Sequence, residues 1–190
     1  EDELGTYLVK LNNKDLSEKD SHSVSIMLHC IGDFERISDH AVNIMESARE
    51  LHEKNLSFSP EARTELQVLV SVVGRIVDTA YDVFDKQDMN LTRDVEPLEE
   101  MVDELSREMK RRHVNRLRSG ECTIEMGFIL TDLITSLERI ADHCSNISVC
   151  VTQVRENLYD THSYLESLKN EPDEGYYNRL EELQREYVLP

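Results

Sequence analysis

The sequence predicts an all-α fold, an antiparallel helical bundle made of duplicated three-helix units of which the first is truncated. Three observations carry that expectation. The 190 residues include only six Gly and four Pro, too few for the many tight turns of an all-β chain. Apolar residues recur at helical spacing rather than in alternation. The phrase Glu35-Arg36-Ile37-Ser38-Asp39-His40-Ala41-Val42-Asn43-Ile44 returns as Glu138-Arg139-Ile140-Ala141-Asp142-His143-Cys144-Ser145-Asn146-Ile147, and self-similarity at a fixed interval marks a duplicated unit.

Residues 1–11 end in Tyr7-Leu8-Val9-Lys10-Leu11 and read as the last turns of a helix, broken by Asn12-Asn13-Lys14. The stretch Leu16 to Ser21 offers N-cap candidates for a long helix from about Ser21 to Lys54, which carries the first copy of the phrase. A turn over Asn55 to Pro60 follows. Ser59-Pro60-Glu61 starts the next helix with a cap, a first-turn Pro and an acid at the positive end of the dipole. Its expected inner face is Leu66, Leu69, Val70, Val73, Val77, Ala80 and Phe84, with Asp78, Asp82 and Asp85 opposite.

A further helix is expected over Leu91 to Arg118, with Val95, Leu98, Met101, Val102, Leu105, Met109 and Leu117 inward and Glu96, Glu99, Glu100 and Asp103 outward or flanking. Ser119-Gly120 ends it, and the basic residues Lys110 to Arg118 suit a helix C-terminus. The second copy lies on a helix from about Cys122 to Asn157. Asp160 to Lys169 reads as helical, Asn170 to Gly175 as a turn, and Tyr176 to Tyr187 as a short amphipathic helix. The chain thus divides into residues 1–54, the last part of one three-helix unit, residues 58–157, a complete one, and a helical tail over 158–190. Asp2-Glu3-Leu4 lines up with Asp103-Glu104-Leu105, so the acid four positions before Asp2 precedes the chain.

Composition excludes several functions. A formal net charge of -18 opposes nucleic-acid binding, which needs clustered Lys and Arg against phosphate, and docking on anionic membranes. Such a surface attracts cations. Cys30, Cys122, Cys144 and Cys150 show no metal or disulfide spacing and read as thiols of a reducing compartment. No apolar run reaches the roughly 20 residues a membrane span needs. The opening Glu1-Asp2-Glu3-Leu4, without an initiator Met, reads as the start of a fragment of a longer protein.

The doubled phrase carries the chemistry. At roughly 100° per residue, Glu35, Asp39 and Asn43 form one stripe, while Phe34, Ile37, Ala41, Ile44 and Ala48 form another on nearly the opposite side. The acids therefore face outward, and two carboxylates four apart repel unless a cation bridges them. The candidate metal ligands are Glu35 with Asp39, Glu138 with Asp142, Glu99 with Asp103, and Asp78 with Asp82; Asn43 and Asn146 are ligands or their hydrogen-bond partners. One such pair in so acidic a chain is ordinarily a solvated face, and repetition raises its standing. Arg36 and Arg139 brace neighbouring acids. His40 and His143 lie about 140° from the Glu and are structural rather than ligands, unlike the Glu-x-x-His of di-iron oxidases. Oxygen donors favour Mg²⁺, Mn²⁺, Ca²⁺ or iron, with Zn²⁺ a softer alternative. No P-loop, nucleophile elbow or Gly-rich dinucleotide turn is present, and nothing argues for an enzyme.

The doubled E-R-I-x-D-H-x-x-N-I resembles the PhoU family over most of residues 1–157, and the truncated front with Tyr159 to Leu165 is most similar to the C-terminal PhoU-like domain of bacterial Na⁺/phosphate cotransporters. That resemblance implies a regulatory role in phosphate uptake and metal ions on the acidic helical faces. It implies as partners a transmembrane phosphate-transport domain, possible contact with phosphate and a sensor kinase, and a possible homo-oligomer. It implies a cytoplasmic domain tethered to the membrane through a preceding transmembrane region. The alternative is a free-standing PhoU-type regulator; a di-iron enzyme and a metal-free helical adaptor are the remaining rivals.

Overall fold

The structure, a computed structural model, describes residues 1–156 and 174–190. The helix expected over Asp160 to Lys169 lies outside the described residues. Among the described residues there are six helices: α1 (Asp2–Asn12), α2 (Glu18–Glu53), α3 (Pro60–Lys86), α4 (Met89–Ser119), α5 (Ile124–Glu156) and α6 (Glu174–Glu186). None is long and apolar enough to cross a membrane.

Local chemistry sets the ends. Ser17 caps α2 by accepting from the Asp20 backbone N–H at 3.1 Å, and Ser59 caps α3 by accepting from Ala62 at 3.2 Å, with Pro60 at the first helical position. Asp88 caps α4 through Asn90 at 2.9 Å. Two left-handed residues close the other ends. Gln87 (φ 50°) stops α3 and Gly120 (φ 75°) stops α4, the latter where only Gly adopts the angle without strain.

Helices α3, α4 and α5 pack against one another and hold the main core. Leu69, Val72, Ile76 and Val83 of α3 meet Val95, Leu98, Val102 and Met109 of α4 and Leu130 and Ile134 of α5, and Leu183 of α6 joins them. Helix α2 lies along α5, with α1 on α2 and α6 on α4. Lys54 pairs with Glu125 at one end of α2, Asp33 with His143 further along, and Ile26 and Cys30 cluster with Cys150 at the other. Residue numbers run in opposite senses, so α2 and α5 are antiparallel.

Three expected faces are corrected. On α3, Val70 is 50% and Phe84 38% exposed, whereas Val72, Ile76 and Val83 are fully buried. Packing against both α4 and α5 rotates and widens the buried stripe. On α2, Ala41 and Ala48 are exposed, and Asp33, Ile37, His40 and Ile44 take the inward side. On α4, Glu96 and Glu99 are buried, at 6% and 7% exposure: Ser145 of α5 donates to Glu96, and α6 lies along the same stretch of α4, where Gln184 donates to Glu104, Arg179 pairs with Asp94, and the acids around Tyr176 include Glu96, Glu99, Glu100 and Glu104.

Candidate functional site: two acidic ladders on antiparallel helices

The two copies of the doubled phrase sit on α2 and α5, the helices that run side by side, but their acids have different surroundings. On α2, Asp39 and Asn43 are exposed and Glu35 is half-buried. The Asp39 charge one turn away pushes the Glu35 carboxyl above its ordinary range, with the carboxylate of Glu1 adding to it and Arg36 opposing. Helix α1 thus brings its acidic start towards Glu35, and the first pair keeps a net like-charge repulsion that Arg36 only partly offsets.

On α5 the same positions are neutralised. Lys110 of α4 donates to Glu138 at 2.6 Å, and Arg139 donates to Asp142 at 3.1 Å. Glu99 is buried on α4 and Asp103 half-buried. Asn146 donates to Asp33 at 3.2 Å, and its counterpart Asn43 is exposed. Asp78 and Asp82 line a groove of about 470 Å³ between α3, α4 and α6, together with Arg75, Asp94 and Arg179, and Lys86 pairs with Asp82 at 2.7 Å.

Four candidate pairs are therefore held apart. Among the described residues no three His, Cys, Asp or Glu side chains converge in a way that could hold a metal ion. Glu35 and Asp39 have the chemistry that a cation relieves, two adjacent carboxylates of which the Asp39 charge pushes the Glu35 carboxyl up. Glu138 and Asp142 do not fit, because a lysine and an arginine already supply the positive charge.

Where the two copies meet, the equivalent histidines stack. The His40 and His143 rings lie 5.8 Å apart at 25°. Asp33 anchors the second of them, with its Oδ1 2.8 Å from His143 Nδ1. Burial, then His143 and Arg139, pushes the His40 imidazole below its ordinary pKa, and its Nδ1 is buried without a hydrogen-bond partner among the described residues. Both histidines thus fill the seam between α2 and α5. Asp33 precedes the phrase and has Ser136 at the matching place in the second copy, so the repeat itself carried no signal for it.

Two further buried acids escaped the sequence reading. Glu65, 2% exposed, accepts from Arg116 at 2.8 and 3.0 Å and from Arg112 at 3.1 Å. Glu96 accepts from Ser145 across α4 and α5. Glu65 could have been found, since it stands four, seven and eleven positions before Leu69, Val72 and Ile76, in line with the buried stripe.

The PhoU domain family matches residues 1–48 and 66–151, which include both copies of the phrase. The chain is similar to the phosphate-specific transport system accessory protein PhoU homolog 1 of Thermotoga maritima, 29% identical over 115 residues that make up 60% of this chain and 49% of that protein. The corresponding PhoU homolog of Pseudomonas aeruginosa is 29% identical over 139 residues, 73% of this chain and 57% of that protein. The crystal structure of PhoU from Pseudomonas aeruginosa has the same arrangement, with a TM-score of 0.73 at 26% identity over 80% of this chain and 72% of that one. The chain spans about half the length of the curated relatives it matches.

Proposed function

This chain belongs to the PhoU family, and from that membership we propose that it acts as an accessory regulator of phosphate transport at the cytoplasmic face of the membrane. The observation that carries the reading is the family match across both acidic ladders. Both relatives are named as accessory proteins of a phosphate-specific transport system. That wording favours a separate regulator over a domain fused to a Na⁺/phosphate cotransporter, the finer expectation from the sequence.

In this reading the protein works through contact rather than catalysis. The surface carries a net charge of -18, which repels a phosphate anion and favours cationic partners such as the basic cytoplasmic loops of a transporter. Glu35 and Asp39 would hold a divalent cation, or iron, which supplies local positive charge on the α2 face. Asn43, on the same face, would add a third oxygen donor or orient one. Glu99, Asp103, Glu138 and Asp142 would serve instead as structural ion-pairing and buried groups of the second unit.

Disruption of the parent gene tests the regulatory role. Uptake of radiolabelled phosphate by phosphate-replete cells should then rise above that of the intact strain, and the chromosomal copy should restore it. Unchanged uptake in the disrupted strain overturns the reading.

A further inference from the structure

Cys30 of α2 and Cys150 of α5 are both buried, and they sit with Ile26 and Ile147 in the small cluster that joins the two helices. The two side chains also share the wall of one cavity between the helices. Side chains in that relation are within the reach of a disulfide, whose Cβ atoms stand roughly 4 Å apart. We propose that Cys30 and Cys150 form a redox pair, packed as two thiols in the reduced protein and closed by a hydroperoxide into a disulfide that ties α2 to α5.

The pair is accessible to a small oxidant. A cavity of about 170 Å³ lined by Met27, Phe84 and Val154 has both cysteines in its wall, ample for a molecule little larger than water. A second groove, between Gly32, Asp33 and Asn146, also reaches Cys150. The neighbouring Cys30 thiol favours the thiolate at Cys150, while the Cys150 sulfur and burial push the Cys30 thiol up. Cys150, the more exposed of the two and reached from both openings, is the attacking sulfur.

Its thiolate attacks one peroxide oxygen, the O–O bond breaks, and the leaving hydroxide takes a proton to become water. Cys150 is then a sulfenic acid. The Cys30 thiol attacks that sulfur, the S–S bond forms as the S–O bond breaks, and the Cys30 proton leaves with the hydroxide as a second water. Two thiols lose two electrons and one hydroperoxide gains them. Burial pushes the Cys144 thiol up to about 12, which leaves it unreactive. Cys122 lies between α4 and α5, at the far end of α5 from Cys150, roughly 40 Å away along the helix.

Hydrogen peroxide treatment of the full chain, followed by N-ethylmaleimide under denaturing conditions, intact mass and a tryptic map, tests the proposal. The expected result is the loss of two hydrogens, a peptide pair joined through Cys30 and Cys150, and reversal by dithiothreitol. The thermal midpoint should rise on the order of 10 °C on oxidation, equally in Cys122→Ser and not at all in Cys150→Ser. Cys30 and Cys150 that both still take up maleimide after peroxide, or a Cys150 sulfinic acid beside an alkylated Cys30, overturn it. The wild-type map decides the matter even where Cys150→Ser does not fold.

Discussion

Glu65 is the residue on which most rests at the smallest scale. A carboxylate that is almost fully buried between Arg112 and Arg116 is stabilised only while both guanidinium groups face it. Removing it takes from Arg116, itself mostly buried, the carboxylate that both of its terminal nitrogens donate to. Glu65→Ala should therefore cost about 3 kcal/mol, read from urea unfolding, and Glu65→Gln should recover part of that loss. His113 lies nearby on α4, buried, with its Nε2 2.7 Å from where a side chain on Gly127 would begin. Gly127→Ala should destabilise by about 1–3 kcal/mol through that overlap. Burial and the Arg116 charge hold the His113 imidazole below its ordinary pKa. The folded chain thus binds fewer protons than the unfolded one. The His113 contribution is full above about pH 6.5 and is lost as pH falls from there through the folded value, a slope that His113→Asn should flatten in acid unfolding curves.

Among the helices, α1 and the α2–α5 pair differ most from the α3–α5 core. Helix α1 buries Leu8 alone among its own residues, and a helix of this length has little stability of its own. Its amides should exchange with solvent far faster than those of α3 and α4, which hydrogen-exchange mass spectrometry would resolve. The α2–α5 seam depends on a compact apolar cluster, and Ile147→Ala should cost about 2–5 kcal/mol. Helix positions and ends were legible in the chain because they are local. Ser17, Ser59 and Gly120 cap or stop helices through groups within a few residues. The faces were less legible, because they depend on which distant element arrives. Glu96 and Glu99 read as outward or flanking acids until α5, through Ser145, and α6, through Tyr176, meet that side of α4, and Val70 read as core until two helices rather than one set the buried stripe of α3. The ladder positions were legible from the repeat, whereas Lys110 opposite Glu138 was not, since nothing in the phrase specifies its partner on another helix.

For the molecule as a whole, the two ladders share a sequence pattern but not an electrostatic state, and that asymmetry gives a test of the cation reading. Any cation stabilises a chain of net charge -18 by general screening, so a specific site has to exceed that background. Binding to the folded state alone adds about 2.7 kcal/mol at a hundredfold excess over the dissociation constant. A Glu35→Gln, Asp39→Asn double variant removes the mutual repulsion that raises Glu35 and the two donors with it. Without divalent ions it should be as stable as the parent or slightly more so. The difference should fade as pH falls through the raised Glu35 value and below the ordinary carboxylate range, where the parent also protonates and the repulsion disappears. With Mn²⁺ at constant ionic strength, the parent's thermal midpoint should rise and the double variant's should not, while Glu138→Gln should keep the rise because Lys110 already occupies that position. An equal rise in parent and double variant would reduce the first ladder to a solvated acidic face and leave the family's regulatory role to be carried by other surfaces.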